Sequence, residues 1–233
     1  MKAILKRELK SYFSSPIGYV CISVLVALYG MNYTSLMLTG SSSYVSQVFS
    51  SMFMFSMMII PIITMKSMSE DRKNKTDQAL LTAPIGVTSI VVGKFLAAFG
   101  VYFVACTVSL LPAVAMNSFS NPPWGIIFGN YIATLLYGGA MVAIGIFISS
   151  LTESQVISAI GSFVIAMLLL FMDSIASSIG GIVGTVITWM SFTTRYNIFA
   201  TGLFSVSSTV FFLSVIAAFI FLTARKLESR RWS

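Results

Sequence analysis

Residues 66–93, KSMSEDRKNKTDQALLTAPIGVTSIVVG, are the only long hydrophilic interruption between strongly apolar segments of this chain, and their charge lies mainly between Glu70 and Lys75. The 233 residues are 57% hydrophobic and 9% charged, with a mean hydropathy of +0.91. Soluble domains usually carry about 25% charged residues. This chain has too few charges to cover a water-facing surface, so the composition predicts a membrane protein. Residues 66–89 would form a polar connection between two of its spans.

This polar connection is predicted to hold one short helix. The apolar run 79–81 is compatible with a helix. Pro84 lacks a backbone donor and disfavours helical geometry in the residue before it, so we expect the helix to end near Thr82. Gly86, with Thr88 as N-cap, would then begin the next long helix. The pattern indicates a short, charged helix-turn element between two membrane helices.

The composition also bears on chemistry. The chain contains no histidine, which is the commonest general base and metal ligand. Cys21 and Cys106 lie in apolar runs and are interpreted as small buried hydrophobes. Gly86 and the pair at 93–94 are too far apart for a phosphate loop, and Phe95 follows where Ser or Thr is required. We therefore expect no catalytic, metal-binding or cofactor-binding residues on this chain.

Six segments are apolar enough to cross a bilayer, which takes about 20 residues in a helix. The predicted order is an interfacial helix at 1–15, spans at 17–38 and 48–65, the polar connection at 66–89, spans at 90–116, 130–150 and 156–172, a re-entrant or extracytoplasmic segment at 174–208, a span at 209–224 and a tail at 225–233. A competing interpretation makes 179–192 a seventh span. The fold class is an all-α polytopic membrane protein with one domain, 1–233.

The first 15 residues predict a basic amphipathic helix lying in the headgroup layer. Apolar side chains recur at helical spacing at positions 1, 5, 9, 12 and 13. The basic face consists of Lys2, Lys6, Arg7 and Lys10. The alternative is a solvated basic tail that only sets the topology.

The basic residues orient this topology. Of 14 Lys and Arg residues, all but Arg195 fall on one face of a six-span chain. The positive-inside rule makes that face cytoplasmic, with both termini there, in the cell (inner) membrane. A seven-span chain would put the basic tail outside, so the charges favour six spans. The net charge of +7 is then a signal for topology and lipid contact, and not for nucleic-acid binding.

Three motifs follow one another in order on that predicted face. They are REL and YFSSP at 7–9 and 12–16, then EDR, KTDQALLTAP and GK at 70–72, 75–84 and 93–94, and finally LESRRW at 227–232. Together they resemble the ABC-2 type exporter permeases, and most closely the gliding-motility-type branch. Lys75 departs from the pattern, because many members carry Gly there.

The resemblance implies a half-transporter. Two copies, identical or paralogous, would pair in the bilayer, and each would bind a separate ATP-binding subunit through a cytoplasmic coupling helix within 66–88. ATP and Mg²⁺ would be bound by that partner. The residues implied in the contact are Glu70, Asp71 and Arg72 as charged groups, Leu80 and Leu81 as apolar anchors, and Pro84 as the turn. Arg195 is a candidate for the outer mouth of the pathway, or a structural arginine beside the headgroups.

Two further interpretations stay open. The chain could be a membrane anchor that uses nucleotide turnover to move an extracytoplasmic accessory protein and transports nothing. The charged run at 70–75 could also be an ordinary solvated loop. An ion-coupled carrier is disfavoured, because such carriers need ionisable groups deep in their spans and the predicted spans hold none at depth.

Overall fold

The computed structural model describes residues 2–38, 44–82, 85–116, 124–200 and 205–231. Within these ranges the chain forms eleven α-helices and no strand. The helices are α1 (Lys2–Ser14), α2 (Pro16–Leu38), α3 (Tyr44–Lys73), α4 (Thr76–Thr82), α5 (Val87–Val108), α6 (Leu111–Met116), α7 (Trp124–Leu151), α8 (Gln155–Ile179), α9 (Gly181–Met190), α10 (Phe192–Ala200) and α11 (Val206–Arg231).

Six stretches of these helices are long and apolar enough to cross a membrane. They are Pro16–Ser35, Gln47–Lys73, Val87–Ala115, Trp124–Leu151, Gln155–Ile179 and Val206–Arg230. The predicted all-α fold with six spans is confirmed for the described residues. The competing seventh span at 179–192 is wrong, because α9 has 10 residues. A helix of that length rises about 15 Å, roughly half of the hydrocarbon core.

The second membrane helix is longer than predicted. We expected the span to end at residue 65, but α3 continues to Lys73, so residues 66–73 are helical and do not form a loop. These polar residues can continue the helix because α7 packs beside them and bonds to their backbone. Ser149 Oγ of α7 accepts from the backbone amides of Met68 and Ser69, at 3.1 Å each.

The connection after α3 is a tight turn, and α4 comprises Thr76–Thr82. The predicted helix end near Thr82 stays a prediction, because the described residues stop there. Pro84, which carried that prediction, lies outside the described residues. The third span begins at Val87 with Gly86 as its N-cap. The predicted N-cap Thr88 is therefore wrong, because it lies within the first turn of α5.

Two prolines inside apolar segments have different effects. Pro61 lies within α3, which is continuous across it. Pro112 lies where the predicted span at 90–116 is interrupted, because α5 ends at Val108 and α6 begins at Leu111. Proline cannot donate to the carbonyl four residues earlier and disfavours helix in the residue before it. Ser109 and the following residue consequently form a turn.

The remaining helices extend beyond their predicted bounds. α7 begins at Trp124, six residues before 130, and α8 continues past 172 to Ile179. The last helix starts at Val206 and continues to Arg231, so most of the predicted tail is helical. Two short helices, α9 and α10, occupy the predicted re-entrant segment. The turn predicted at 117–129 lies mostly outside the described residues.

The most buried helix of the bundle is α7, which contacts α3, α5, α8, α10 and α11. Small residues bring these neighbours close, as expected for packed membrane helices. A Cβ on Gly138 would collide with the ring of Tyr102 on α5, and one on Gly145 would collide with Thr64 on α3. By contrast, α8 and α11 expose long apolar faces, which include Leu168 on α8.

A chain of hydroxyl groups crosses the interior of the bundle. Ser56 Oγ on α3 lies 3.2 Å from Tyr29 Oη on α2 and 2.7 Å from Tyr102 Oη on α5. Tyr196 Oη on α10 lies 2.9 Å from Thr134 Oγ1 on α7. These bonds join five helices without an ionised group. The charged side chains of the described residues lie towards the ends of the bundle.

Candidate functional site

Charged side chains form two groups, one at each end of the bundle. One end, called here the charged end, contains α1, the α3–α4 turn, the α7–α8 connection and the C-terminus of α11. Arg7 of α1 contacts Asp71 of α3 at 3.3 Å, and Arg230 of α11 donates to the Ser150 carbonyl of α7 at 2.8 Å. Both terminal helices therefore reach the same end as the α3–α4 turn. Whether that end is cytoplasmic stays a prediction.

A buried lysine is the centre of the charged end. Lys94 lies about two turns into α5, and its side chain is only 2% exposed. Its ammonium group lies 2.5 Å from Asp71 Oδ2 and 3.2 Å from Glu8 Oε1. It also donates to the carbonyl oxygen of Ser67 at 2.5 Å. One cation thereby joins α1, α3 and α5.

A second cation balances the charge. Arg7 contacts Glu8 at 2.7 Å and Asp71 at 3.3 Å. Burial lowers the pKa of Arg7, but its hydrogen bonds and the charges of Glu8 and Asp71 outweigh this and hold that pKa above its usual value. Arg7, Glu8, Asp71 and Lys94, called here the Lys94 cluster, thus pair two cations with two carboxylates. Buried charges are tolerated when paired in this way.

The short helix α4 is joined to this cluster through its first residue. Thr76 Oγ1 donates to Asp71 Oδ1 at 2.7 Å. The turn before it is closed by the Lys75 amide, which donates to the Arg72 carbonyl at 3.2 Å. Lys75 itself has a positive φ of 56°, a conformation that glycine adopts most easily. The turn is therefore tight even though Lys75 replaces the glycine that the resemblance leads one to expect.

A second set of contacts holds the end of α3 to the rest of the bundle. Arg72 Nε lies 2.9 Å from Glu153 Oε1, and Arg72 also donates to the Leu151 carbonyl at 2.9 Å. Ser149 Oγ donates to the Met65 carbonyl at 3.0 Å. The C-terminal end of α3 is consequently fixed to α7 and to the α7–α8 connection.

The predicted interfacial helix forms, and it packs against the bundle along one side. Lys2, Lys6 and Lys10 are exposed, while Arg7 is half-exposed within the Lys94 cluster. Tyr12, which was predicted in the apolar stripe, is buried, and its hydroxyl group donates to the Ile63 carbonyl at 2.8 Å. Burial raises its pKa well above the usual value. The location of α1 in the headgroup layer stays a prediction.

The six residues implied in binding an ATP-binding subunit differ in their surroundings. Asp71 and Arg72 are engaged within the chain, and Glu70 is partly exposed with no ion pair among the described residues. Leu80 is half-buried and packs against the core of its own chain. The Leu81 side chain and Pro84 lie outside what the structure describes. Their role towards a partner stays a prediction.

Two central residues were missing from the predicted site. Glu8 was quoted only in the REL motif, and Lys94 only in the GK motif and as a basic residue in or beside the polar connection; neither was assigned to a site. Glu8 lies four residues from both Ile4 and Tyr12, and all three are buried. Lys94 is an ionisable residue within a predicted span. The helical spacing of Glu8 and the position of Lys94 are visible in the sequence, but their burial and their pairing are shown only by the structure.

The opposite end of the bundle holds Arg195. Its Nε and Nη2 atoms donate to the Trp189 carbonyl at 3.2 Å, and its Nη1 atom donates to Ser207 Oγ at 3.0 Å. Nearby, Asp173 Oδ1 accepts from Thr194 Oγ1 at 2.9 Å. A cleft of about 670 Å³ is lined by Arg195, Trp189, Asp173 and Thr194 among other residues. No group of three or more Cys, Asp or Glu side chains in the described ranges is placed to hold a metal ion.

Comparison with known proteins agrees with this architecture. The family described as "ABC-2 family transporter protein" matches residues 2–227. Two relatives, each called "Probable multidrug ABC transporter permease YbhR", come from Escherichia coli strain K12 and Escherichia coli O157:H7, and each is 31% identical over 108 residues. The aligned stretch covers 46% of this chain and 29% of the length of each relative. The gliding-motility-type branch stays a prediction.

The family match extends over nearly the whole chain and includes every predicted span. It agrees with six apolar helices in the described residues and with a polar helix between the second and third of them. The chain therefore belongs to the ABC-2 family of transporters, as a membrane subunit.

Proposed function

We propose that this chain is the membrane-spanning half of an ATP-driven exporter in the cell (inner) membrane. Two copies pair, and each is driven by a separate ATP-binding subunit that docks at α4 on the cytoplasmic side. The observation that carries this proposal is the link from α4 through Thr76 and Asp71 to the Lys94 cluster. The family of the chain supports the partner, since ABC permeases work with ATP-binding subunits.

The docking surface is the polar edge of the α3–α4 turn. Lys73, Asn74 and Lys75 are exposed there, and Glu70 is partly exposed beside them. Leu80 is half-buried against its own chain, so it supports α4 from within, and its exposed part remains available as an apolar anchor for the partner. Charge complementarity at this edge would set the orientation and the rate of docking.

Movement of α4 reaches the membrane helices through Asp71. Its carboxylate accepts from Thr76 and pairs with both Lys94 and Arg7. Separating a buried pair would leave an uncompensated charge, which is strongly unfavourable. When the partner binds ATP and displaces α4, helices α1, α3 and α5 consequently move together. ATP and Mg²⁺ act on the partner, and this chain holds neither.

The name of the two relatives favours small organic molecules as cargo. Since the alignment covers 29% of their length, this part of the proposal rests on similarity alone. The exposed apolar faces of α8 and α11 are long enough to pack against lipid or a second copy. The second copy would complete a pathway that a single bundle, with its packed interior, does not provide.

The test is to purify the tagged chain with its ATP-binding subunit and to measure vanadate-sensitive ATP hydrolysis and the mass of the complex. We expect Glu70→Lys combined with Lys75→Glu to lower recovery of the ATP-binding subunit about tenfold, because the charges at the docking edge are reversed. Lys226→Glu is the matched control, since Lys226 is exposed on α11 at the same end.

Full recovery of an active complex by the reversed variant would contradict docking at this edge. Flux driven by the chain alone, with no ATP-binding subunit present, would contradict the proposal as a whole. ATP hydrolysis that moves an extracytoplasmic protein, with no flux of any cargo, would replace the exporter with the anchor interpretation.

A further inference from the structure

A polar cleft lies at the end of the bundle that is farthest from the Lys94 cluster. It is formed by the C-terminal end of α8 together with α9 and α10, and it has a volume of about 670 Å³. Its polar lining consists of Asp173, Ser177, Thr185, Thr188, Thr194 and Arg195. We call it the distal cleft.

Glycines create this cleft. Gly180 and Gly181 adopt positive φ angles of 64° and 63°, which reverse the chain between α8 and α9. A Cβ on Gly184 would lie 2.6 Å from the carbonyl oxygen of Ala176. The two helices therefore touch at Gly184. Asp173 of α8 and Thr188 of α9 both line the cleft.

Arg195 brings a buried positive charge to the distal cleft. The residue is 8% exposed, and its guanidinium lies 4.9 Å from the ring centre of Trp189 and 5.5 Å from that of Phe211. None of the ion pairs among the described residues includes Arg195. Three of its five N–H groups donate to the Trp189 carbonyl and to Ser207 Oγ. The remaining two, one on Nη1 and one on Nη2, have no carboxylate partner among the described residues, and such a planar pair matches two phosphate oxygens.

Asp173 brings a negative charge to the same cleft. Its Oδ1 atom accepts from Thr194, and it too takes part in no ion pair among the described residues. The hydroxyl groups of Thr185 and Thr188 donate to carbonyls of their own helix, at 3.1 Å and 2.9 Å. Their oxygen lone pairs can accept from a ligand. The lining thus offers acceptors for an amine and donors for an anion.

An apolar surface continues from this polar cleft. Along α9, Ile182 is 86% exposed and Trp189 is 68% exposed, with Val183, Val186 and Met190 also exposed. Thr185 and Thr188 of the same helix line the cleft, so this apolar surface lies directly beside the polar lining. A ligand that fits both surfaces has a zwitterionic head and apolar chains.

We propose that the distal cleft binds the headgroup of phosphatidylethanolamine, with the phosphate at Arg195, the primary amine at Asp173 and the acyl chains along the exposed face of α9. A second copy covering α9 is the competing occupant, but it would not need a cation and an anion in one cleft. The proposal is independent of the docking of an ATP-binding subunit, since it concerns the far end of the bundle.

Trp189 provides the probe, because it lies against Arg195 at the edge of the cleft. The chain has three Trp residues, so Trp124→Phe with Trp232→Phe leaves Trp189 as the only tryptophan, which is excited selectively over the tyrosines at long wavelength. The purified chain is placed in phosphatidylcholine nanodiscs that contain a rising fraction of a lipid with brominated acyl chains. We expect brominated phosphatidylethanolamine to quench Trp189 at a fraction about tenfold lower than brominated phosphatidylglycerol or phosphatidylcholine.

Two variants separate the charges. Asp173→Asn keeps an acceptor for Thr194 and should abolish the preference for ethanolamine over glycerol. Arg195→Lys keeps the charge but loses the bidentate contact with phosphate. It should therefore weaken binding of phosphatidylethanolamine and of phosphatidylglycerol alike. The control is Asp77→Asn, at the other end of the bundle, which should leave the quenching curves unchanged.

Quenching that is the same for all three headgroups would mean ordinary contact with surrounding lipid and would overturn the proposal. A preference for ethanolamine that survives in Asp173→Asn would overturn it as well. Failure of every brominated lipid to quench Trp189 would show that a second copy covers α9, which also contradicts it.

Discussion

Two buried cations, Lys94 and Arg195, lie at opposite ends of the bundle and are held in different ways. Lys94 is enclosed by the carboxylates of Glu8 and Asp71. Arg195 is held by the Trp189 carbonyl, by Ser207 and by two aromatic rings. The first cation has its counter-charges within the chain, which suits a part that transmits movement. The second has none among the described residues, which suits a part that binds a ligand.

The largest effect is expected at Lys94. Replacing Lys94 with Met removes the buried cation between Glu8 and Asp71 and leaves only the half-exposed Arg7 to pair with both carboxylates, which should cost about 3–5 kcal/mol in stability. Thermal unfolding of the purified chain in detergent measures this. Lys226→Met, on the exposed side of α11, is the control and should change little. A loss below about 1 kcal/mol in Lys94→Met would show that the cluster does not hold the three helices together.

Arg195 should be more tolerant of the same replacement. Arg195→Met removes two cation–π contacts and hydrogen bonds to neutral groups, and it leaves no paired carboxylate behind. We expect a loss of about 1–2 kcal/mol in the same unfolding assay. If Arg195→Met is as destabilising as Lys94→Met, the distinction between a structural and a ligand-binding cation is wrong.

The turn at the charged end offers a gain in stability. Lys75 has a positive φ of 56°, so Lys75→Gly should stabilise the turn by about 1 kcal/mol. The same unfolding assay detects this, with Lys73→Gly as a control that should be destabilising because Lys73 is helical. Destabilisation by Lys75→Gly would mean that the turn has another conformation.

The smallest effect is expected at the exposed ion pair between Arg72 and Glu153. Glu153 is 62% exposed, and surface pairs contribute about 0–1 kcal/mol. Glu153→Gln should therefore change stability by less than about 0.5 kcal/mol, and high salt should remove the difference. A larger change would mean that the ion pair between Arg72 and Glu153, like the Lys94 cluster, is needed to hold the helices together.

The sequence predicts those parts of the fold that depend on local physics. Apolar length predicts six spans, and six helices of sufficient length form among the described residues. The break in α5 is also local, since Pro112 causes it, but it was missed because the surrounding residues are uniformly apolar. The continuation of α3 to Lys73 was missed for a different reason. The polar residues at 66–73 predict a loop when the sequence is taken alone. Their helical form is supported by Ser149, about 80 positions away, which accepts from a backbone amide of this segment.

The candidate site was predicted only in part, because its contacts are distant in sequence. Asp71 was assigned to the site from its motif. Lys94 lies in the GK motif but was not assigned to the site, and Glu8 lies 86 positions from it. No periodicity in the sequence connects such residues. Arg195 was singled out as the only basic residue on its predicted face, but its aromatic surroundings follow only from the tertiary structure, which places Trp189 of α9 and Phe211 of α11 beside it.

The central claim is that ATP bound by a separate subunit moves α4 and the helices joined to it. The most direct measurement is the distance between spin labels attached at Lys73→Cys in the two copies of a purified complex, with and without ATP and vanadate. We predict that this distance shortens when ATP is added, only when the ATP-binding subunit is present, and not in an Asp71→Asn background. An unchanged distance in the intact complex, or a change caused by ATP without that subunit, would contradict the account.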